Sequence, residues 1–206
     1  MVKSRPIFTA AAVLLALCSS NIASAQIAAP PNMWIHGTTV NVFAGAAVAS
    51  SETGPLGGGA VGWEVTRRVA LEGSGSWLNR RNGAEAFAAD LKALVNVTAA
   101  RPVVPFLEGG IGLYRASFDS SRGPLPGFYQ GRVAGNGSTV KRMAFTDPSF
   151  ILGGGVNVFV TRHIAIRPDV EAKIVRRDRQ NYAVTAVSVH IAYHFEDHPI
   201  TPSRSR

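Results

Sequence analysis

The sequence is poor in cysteine and, beyond its first residues, in long apolar runs. Its one cysteine is Cys18, which lies in an apolar stretch close to the N-terminus. If that stretch is removed on export, the mature chain has no cysteine, and a small secreted fold held together by disulfides is excluded. After this stretch, no run resembles the roughly 20 apolar residues of a membrane-spanning helix. The chain must therefore gain its stability in another way.

Acidic residues are also scarce, with 13 against 21 basic residues and a formal charge of +8. A basic balance of this kind suits proteins that bind nucleic acid or anionic lipid surfaces. An exported protein rarely meets nucleic acid. We therefore expect no nucleic-acid partner and take lipid head groups as the counter-ions.

The N-terminal segment has the three parts of a secretory signal peptide. Lys3 and Arg5 form a positive region, Ile7 to Leu17 form an apolar region, and Ala23-Ser24-Ala25 is a small-residue cleavage site. Acylation at Cys18, as in a lipoprotein, is an alternative that the large side chain of Leu17 disfavours. We therefore predict export from the cytoplasm and a mature chain that begins at Gln26.

The segment Val187 to Phe195 alternates strictly between apolar residues and small or polar ones. Its apolar side ends in Tyr193 and Phe195, and its other side carries Ser188 and His190. A period of two residues indicates a strand with two different faces. In an exported chain with several such strands, this pattern predicts a transmembrane β-barrel. The apolar face of such a barrel meets lipid, its interior is polar and its rim carries aromatics.

The same alternation along the chain predicts eight strands. An even number puts both ends of the barrel on one side, which we take as periplasmic. Ala84–Val95 contains residues that favour helices, but its apolar residues recur at every second position, so a strand is preferred. The predicted strands are Ile35–Ala49, Gly57–Val65, Val69–Leu78, Glu85–Thr98, Val103–Phe118, Phe150–Val160, Ile164–Arg176 and Tyr182–Phe195. The predicted domains are a signal peptide (1–25), an N-terminal extension (26–34), the barrel (35–195) and a periplasmic tail (196–206).

The links between these strands fall into two sets. The short set includes a repeated Val-Thr-Arg motif at Val65-Thr66-Arg67 and Val160-Thr161-Arg162. The longer links are Ser50–Leu56, Asn79–Ala84, Asp119–Ser149 and Arg177–Asn181. Short periplasmic turns with longer external loops are typical of outer-membrane barrels. The longest loop is either a contact site for lipopolysaccharide or a solvated loop without a partner, and its candidate phosphate-binding residues are Arg122, Arg132, Lys141 and Arg142.

Charged residues alternate with apolar ones in several predicted strands. Pro168 interrupts one of these strands and predicts a bulge or a local gap in pairing. In a membrane barrel the charged side must face inward, where opposite charges can pair. The predicted lumen network consists of Glu72, Asp90, Lys92, Glu108, Arg167, Asp169, Glu171 and Lys173. With Phe106, Tyr114 and Phe159, it would fill the narrow interior of an eight-stranded barrel.

The chain resembles the outer-membrane β-barrel domain family, of the small OmpA/OmpX-like type. The similarity is carried by Ser188–Phe195 and by the glycine-rich segment Leu152–Val160 with Thr161-Arg162-His163 after it. It implies an all-β, eight-stranded antiparallel up-and-down transmembrane barrel in the outer membrane. It also implies that Tyr193 and Phe195 form a terminal signal read by the barrel-assembly machinery, with His190 where the family has glycine.

A fold of this kind does not fix an activity. We favour a monomeric protein in contact with outer-membrane lipids and lipopolysaccharide, with a structural or surface-interaction role in membrane integrity or adhesion. One alternative is a lipid A-modifying barrel enzyme, for which Ser188, His190 and Glu171 are the nearest candidates. The other is a soluble lipocalin-like carrier. We assign no catalytic residue, cofactor site or metal site, since the remaining histidines lack metal-ligand spacing.

Overall fold

The computed structural model describes residues 37–49, 52–66, 68–80, 84–98, 102–122, 142–161, 163–177 and 180–195. The predicted signal peptide, N-terminal extension and C-terminal tail lie outside these residues. Among the described residues, no helix is long and apolar enough to cross a membrane.

The described residues form one closed antiparallel barrel in which every strand pairs with its neighbours in sequence and the last strand pairs with the first. This confirms the predicted fold class. The strands are β1 (Thr38–Ala49), β2 (Glu52–Glu64), β3 (Val69–Asn79), β4 (Ala84–Asn96), β5 (Val103–Asp119), β6 (Arg142–Phe159), β7 (Ile164–Arg177) and β8 (Gln180–His194).

Two strands begin five or more residues earlier than the sequence predicted. β2 begins at Glu52, so it includes Pro55, and β6 begins at Arg142, so it includes Pro148. Proline and polar residues predicted loops in both places. The neighbouring strands override this local preference, because the long end of β5 pairs with β6 as far as Asp119 and Arg142. The alternative of a helix over Ala84–Val95 is wrong, since this segment is β4.

Pro168 produces a gap in the ladder and not a bulge. The register between β6 and β7 runs to Gly155 and Asp169, and it resumes unchanged at Val158 and Ile166. Proline has no backbone N–H to donate, so the pairs between these points are absent. The prediction of a local pairing defect is therefore confirmed.

The links define two ends of the barrel. The turn end holds the links after β2, β4 and β6, and the loop end holds the links after β1, β3, β5 and β7. At the turn end both Val-Thr-Arg motifs make the same hydrogen bonds. The hydroxyl of Thr66 accepts from the backbone N–H of Val69, and the hydroxyl of Thr161 accepts from that of Ile164, both at 3.0 Å.

The predicted contrast in link length is wrong except for one loop. The links at the loop end are residues 50–51, 80–83, 120–141 and 178–179, and those at the turn end are residues 65–68, 97–102 and 160–163. Three of the four loop-end links are as short as the turns or shorter, because the strands at that end run further than predicted. The long link after β5 is also shorter than predicted, because its last residues, from Arg142 onward, belong to β6.

The outward face is apolar, as a barrel surrounded by lipid requires. It includes Leu91, Leu107 and Ile191, each about 60% exposed. Aromatic side chains stand outward near both ends, with Trp63, Tyr193 and Phe195 toward the turn end and the cross-strand pair Trp77 and Phe87 toward the loop end.

The lumen is arranged in layers from one end to the other. Buried Val104 and Phe106 lie toward the turn end, and charged side chains follow them. Next comes a layer of small and aliphatic residues, and the loop end is lined by larger side chains. The small layer is formed by Ala47, Leu78, Ala86, Ala88, Ala116 and Val184.

Candidate functional site

Lys92 is the centre of the lumen charge network. Its ammonium lies 3.1 Å from Glu108 Oε2, 3.1 Å from Glu171 Oε2 and 3.4 Å from Glu72 Oε1. Glu72 and Lys92 are directly opposite each other on β3 and β4. The alternation of each strand brings these side chains inward, and the closed barrel brings them together from β3, β4, β5 and β7.

Arg167 holds the part of the network nearer the turn end. Its Nη1 and Nη2 donate to the two carboxylate oxygens of Glu72 at 2.8 and 3.0 Å, which is a two-point contact. Asn41 Nδ2 also donates to Glu72, at 3.0 Å. The ring of His190 stacks on Phe43 with centroids 4.5 Å apart. Its Nδ1 lies 2.8 Å from Arg167 Nη2.

Lys173 holds the part of the network nearer the loop end. Its ammonium is 2.7 Å from Asp90 Oδ2 and 3.5 Å from Glu171 Oε1. A cavity of about 40 Å³ lies between these groups and the ring of Tyr114. This volume admits about three water molecules, for which the polar groups around it are suitable partners.

Glycines inside the strands make room for the charged side chains. A Cβ at Gly112 would stand 2.1 Å from Asp90 Oδ1, and a Cβ at Gly153 would stand 2.6 Å from Glu108 Oε1. Both positions lack space for any side chain. These two glycines therefore leave the space that Asp90 and Glu108 occupy in the narrow lumen.

All eight residues of the predicted network lie in this lumen. Sequence reasoning left Asn41, Ser188 and His190 out of the network, although it considered Ser188 and His190 as candidates for catalysis. Alternation along β1 and β8 was the signal that could have included all three. Within the described residues, no group of three or more acidic, histidine or cysteine side chains has the arrangement of a metal site.

The candidate catalytic residues of the enzyme alternative, Ser188, His190 and Glu171, are not arranged as predicted. The acid beside Ser188 and His190 is Asp169, whereas Glu171 pairs with Lys92 and Lys173. A catalytic relay needs the serine and the acid on opposite nitrogens of the ring. Here Ser188 Oγ and Asp169 Oδ2 both lie at His190 Nε2, at 3.0 and 2.8 Å. The Ser188 hydroxyl donates directly to Asp169.

The loop end of the lumen contains a buried arginine that the sequence placed in an exposed loop. Arg80 is 2% exposed and points inward, because the alternation of β3 continues through Leu78 to Arg80. Its guanidinium lies over the rings of Tyr182 and Tyr114, 4.9 and 5.9 Å from the centroids. Nη2 donates to the hydroxyl of Tyr182. The prediction that the link Asn79–Ala84 is an external loop is therefore wrong at Arg80.

Three other arginines at this end point outward. Arg115, Arg142 and Arg176 are exposed residues on the adjacent strands β5, β6 and β7. Arg115 lies opposite Phe87, so it stands at the level of the outward aromatics. In each of these strands, the arginine occupies the next outward position after the outward apolar residues, toward the loop end.

Of the predicted loop contacts, Arg132 and Lys141 lie outside the described residues. The Arg122 side chain is 68% exposed and its Nε lies 3.6 Å from Asp119 Oδ2. The hydroxyl and the backbone N–H of Ser121 both donate to Asp119 Oδ1, and these bonds lower the pKa of Asp119.

The two aromatics of the predicted terminal signal stand together at the turn end. Their ring centroids are 4.8 Å apart, and the ring of Tyr193 also lies 5.7 Å from that of His163. Both side chains remain close to half exposed on the outward face. They are therefore available to lipid or to another protein.

A family model described as the outer membrane protein beta-barrel domain matches residues 9–195. The chain belongs to this family. It is accordingly an outer-membrane protein, as the sequence predicted. The comparison with curated proteins finds no match.

Solved structures show the same fold. Neisserial surface protein A is 16% identical over 77% of this chain and 97% of its own, with a TM-score of 0.61. The N-terminal β-barrel domain of Pseudomonas aeruginosa OprF is 12% identical over 77% of this chain and 98% of its own, with a TM-score of 0.53. The alternative of a soluble lipocalin-like carrier is wrong, because the charged face of this barrel is inside and the apolar face is outside.

Proposed function

We propose that this outer-membrane barrel has a structural and surface-interaction role, in which its loop end contacts the phosphate groups of lipopolysaccharide. The observation that supports this is the outward position of Arg115, Arg142 and Arg176 on three adjacent strands toward the loop end, with Arg115 opposite the outward Phe87. Arginine suits phosphate because its planar guanidinium offers several N–H groups to the oxygens. Glu85 and Asp119 are the described acids among these positions, and Asp119 lies directly opposite Arg142, so the three arginines with these two acids carry a net positive charge.

The side chains that fill the lumen support a role in which the protein does not transport large solutes. The middle of the lumen is occupied by paired charges around Lys92, and Phe106 and Ile151 fill the space beside them. An eight-stranded barrel has an interior that side chains can fill.

We also propose that Ser188 and His190 belong to the packing of the lumen and take no part in catalysis, since both are buried and hydrogen-bonded to neighbouring charges.

The test replaces Arg115, Arg142 and Arg176 together by glutamine. We expect the folded variant to lose most of its affinity for lipopolysaccharide in a vesicle-binding assay, and the single variants to lose part of it. Arg68→Gln is the control, because Arg68 is an exposed arginine at the turn end. Equal binding by the triple variant and the wild type would remove the basis of the proposal.

A second variant separates the strand arginines from the long loop. Deletion of residues 123–141 removes Arg132 and Lys141 and leaves Arg115, Arg142 and Arg176 in place. If the strands supply most of the contact, this deletion weakens lipopolysaccharide binding less than the triple substitution does. The opposite order would assign the contact to the loop.

A further inference from the structure

Arg80 is a buried cation without a carboxylate partner among the described residues. Its Nε and Nη1 make no hydrogen bond to any group in the described part of the chain, although neither atom is exposed to solvent. The Nη2 contact goes to a neutral hydroxyl, that of Tyr182. A buried charge of this kind is strongly destabilising unless an opposite charge or several hydrogen bonds compensate it.

A second unpartnered group lies beside the guanidinium. The hydroxyl of Tyr114 is also buried without a hydrogen bond in the described part of the chain, and the Tyr114 ring is one of the two that Arg80 covers. Two N–H donor groups of Arg80 and the hydroxyl donor of Tyr114 therefore have no acceptor in the part of the chain that the structure describes. An oxyanion is the chemical group that accepts from all three.

Among the described side chains, the barrel brings no acid to Arg80; Glu52 and Asp178, two acids in the sequence of the loop end, lie outside them. Along β3, Arg80 lies six residues from Ser74, which is opposite Asp90, and this is about 20 Å at the usual rise of a strand. The small layer around Leu78 and Ala86 lies between them. Asp147, an acid near the loop end, is 2.8 Å from Arg177 Nη1.

The long link supplies no acid either. Residues 123–141 contain Arg132 and Lys141 and no aspartate or glutamate. The backbone of Arg80 is also held in place, because its N–H donates to the carbonyl of Ala84 at 2.9 Å. In addition, Gly54 packs so closely on the end of β3 that a Cβ there would stand 1.6 Å from the carbonyl oxygen of Asn79.

We propose that Arg80 and Tyr114 form an anion site at the loop end of the lumen, which takes a phosphate or carboxylate group entering from that end. The site goes beyond the proposed lipopolysaccharide contact, because it lies inside the barrel and the outward arginines do not contribute to it. The anion accepts from Arg80 Nε and Nη1 and from the hydroxyl of Tyr114. The bound anion supplies the negative charge that compensates the buried guanidinium of Arg80.

The experiment measures the midpoint of thermal unfolding of the full-length protein in detergent micelles. One arm titrates potassium phosphate against potassium chloride at equal ionic strength. The other arm adds lipopolysaccharide to the micelles without free phosphate, so the two arms distinguish a soluble anion from a lipid phosphate. The variants are Arg80→Met, Tyr114→Phe and the turn-end control Arg68→Met.

We expect phosphate to stabilise the wild type and Arg68→Met equally, and to need at least tenfold higher concentration in Arg80→Met. Tyr114→Phe keeps every charge and removes only the hydroxyl donor, so a several-fold weaker response there identifies a site and not a general effect of positive charge. It also keeps the test decisive if Arg80→Met does not fold. Protection that depends on both residues in either arm supports the proposal and names the source of the anion. An equal response of wild type and Tyr114→Phe in both arms, or no response of the wild type, would overturn it.

Discussion

Replacement of Lys92 by methionine tests whether the lumen charges stabilise the barrel. Methionine keeps most of the length of the side chain and removes its charge. Three carboxylates would lose a contact within 3.4 Å, but their situations differ. Glu72 keeps its two-point contact with Arg167, and Glu171 keeps Lys173. Glu108 keeps no ion-pair partner in the described part of the chain.

The expected loss follows from this single uncompensated carboxylate. The Glu108 side chain is 0% exposed, and removal of one partner from a buried ion pair destabilises a protein by about 3–5 kcal/mol. We therefore expect Lys92→Met to lower the free energy of unfolding by this amount. Addition of Glu108→Gln should restore a large part of it, since the amide carries no charge.

The assay is equilibrium unfolding in urea with the protein in detergent micelles, followed by the mobility of unheated samples in electrophoresis. Arg122→Gln is the control, because an exposed ion pair contributes about 0–1 kcal/mol. A loss below 1 kcal/mol for Lys92→Met would refute the reasoning. A double variant that is no more stable than Lys92→Met would refute the assignment to Glu108.

Two further predictions concern the outward face. Ile191→Arg places a charge on the lipid-facing surface and should lower the free energy of unfolding in lipid by about 2–4 kcal/mol. The control Gln180→Arg, at the loop end of the same strand, should change this free energy little. Similar losses at the two positions would contradict the assignment of a lipid-facing belt. Phe195→Ala should lower the assembled fraction in cells, measured by unheated electrophoresis of membranes, if this aromatic is read by the assembly machinery. Leu107→Ala removes an apolar side chain elsewhere that is more exposed than Phe195 and should leave that fraction unchanged; an equal fall in both would mean that only lipid-facing area matters.

Alternation predicted the barrel correctly, because successive side chains point to opposite faces in every strand. In β8 it placed Val189 and Ile191 outward and Ser188 and His190 inward, as the structure has them. In β7 it placed Arg167 and Lys173 inward. The pattern fixes the face of each residue, and closure of the barrel then brings inward charges from different strands together.

The sequence could not give the partners within the lumen. Asp169 and Glu171 are successive inward acids on β7, and either could have met His190. The register decides between them, since Ser188 is opposite Asp169 and Arg167 is opposite His190. Register depends on the pairing of whole strands. For this reason the predicted acid beside Ser188 and His190 was the wrong one.

The strand ends were the least predictable part, and Arg80 shows the consequence. The predicted third strand stopped at Leu78, because asparagine and two arginines follow it in the sequence. β3 continues to Asn79, and the next residue keeps the inward direction that Glu72, Ser74, Ser76 and Leu78 establish. Polarity alone cannot distinguish an arginine that leaves the barrel from one that lines its mouth. The extension of an established alternation by one more residue makes that distinction, and here it turns a solvated loop residue into the buried cation of a candidate anion site.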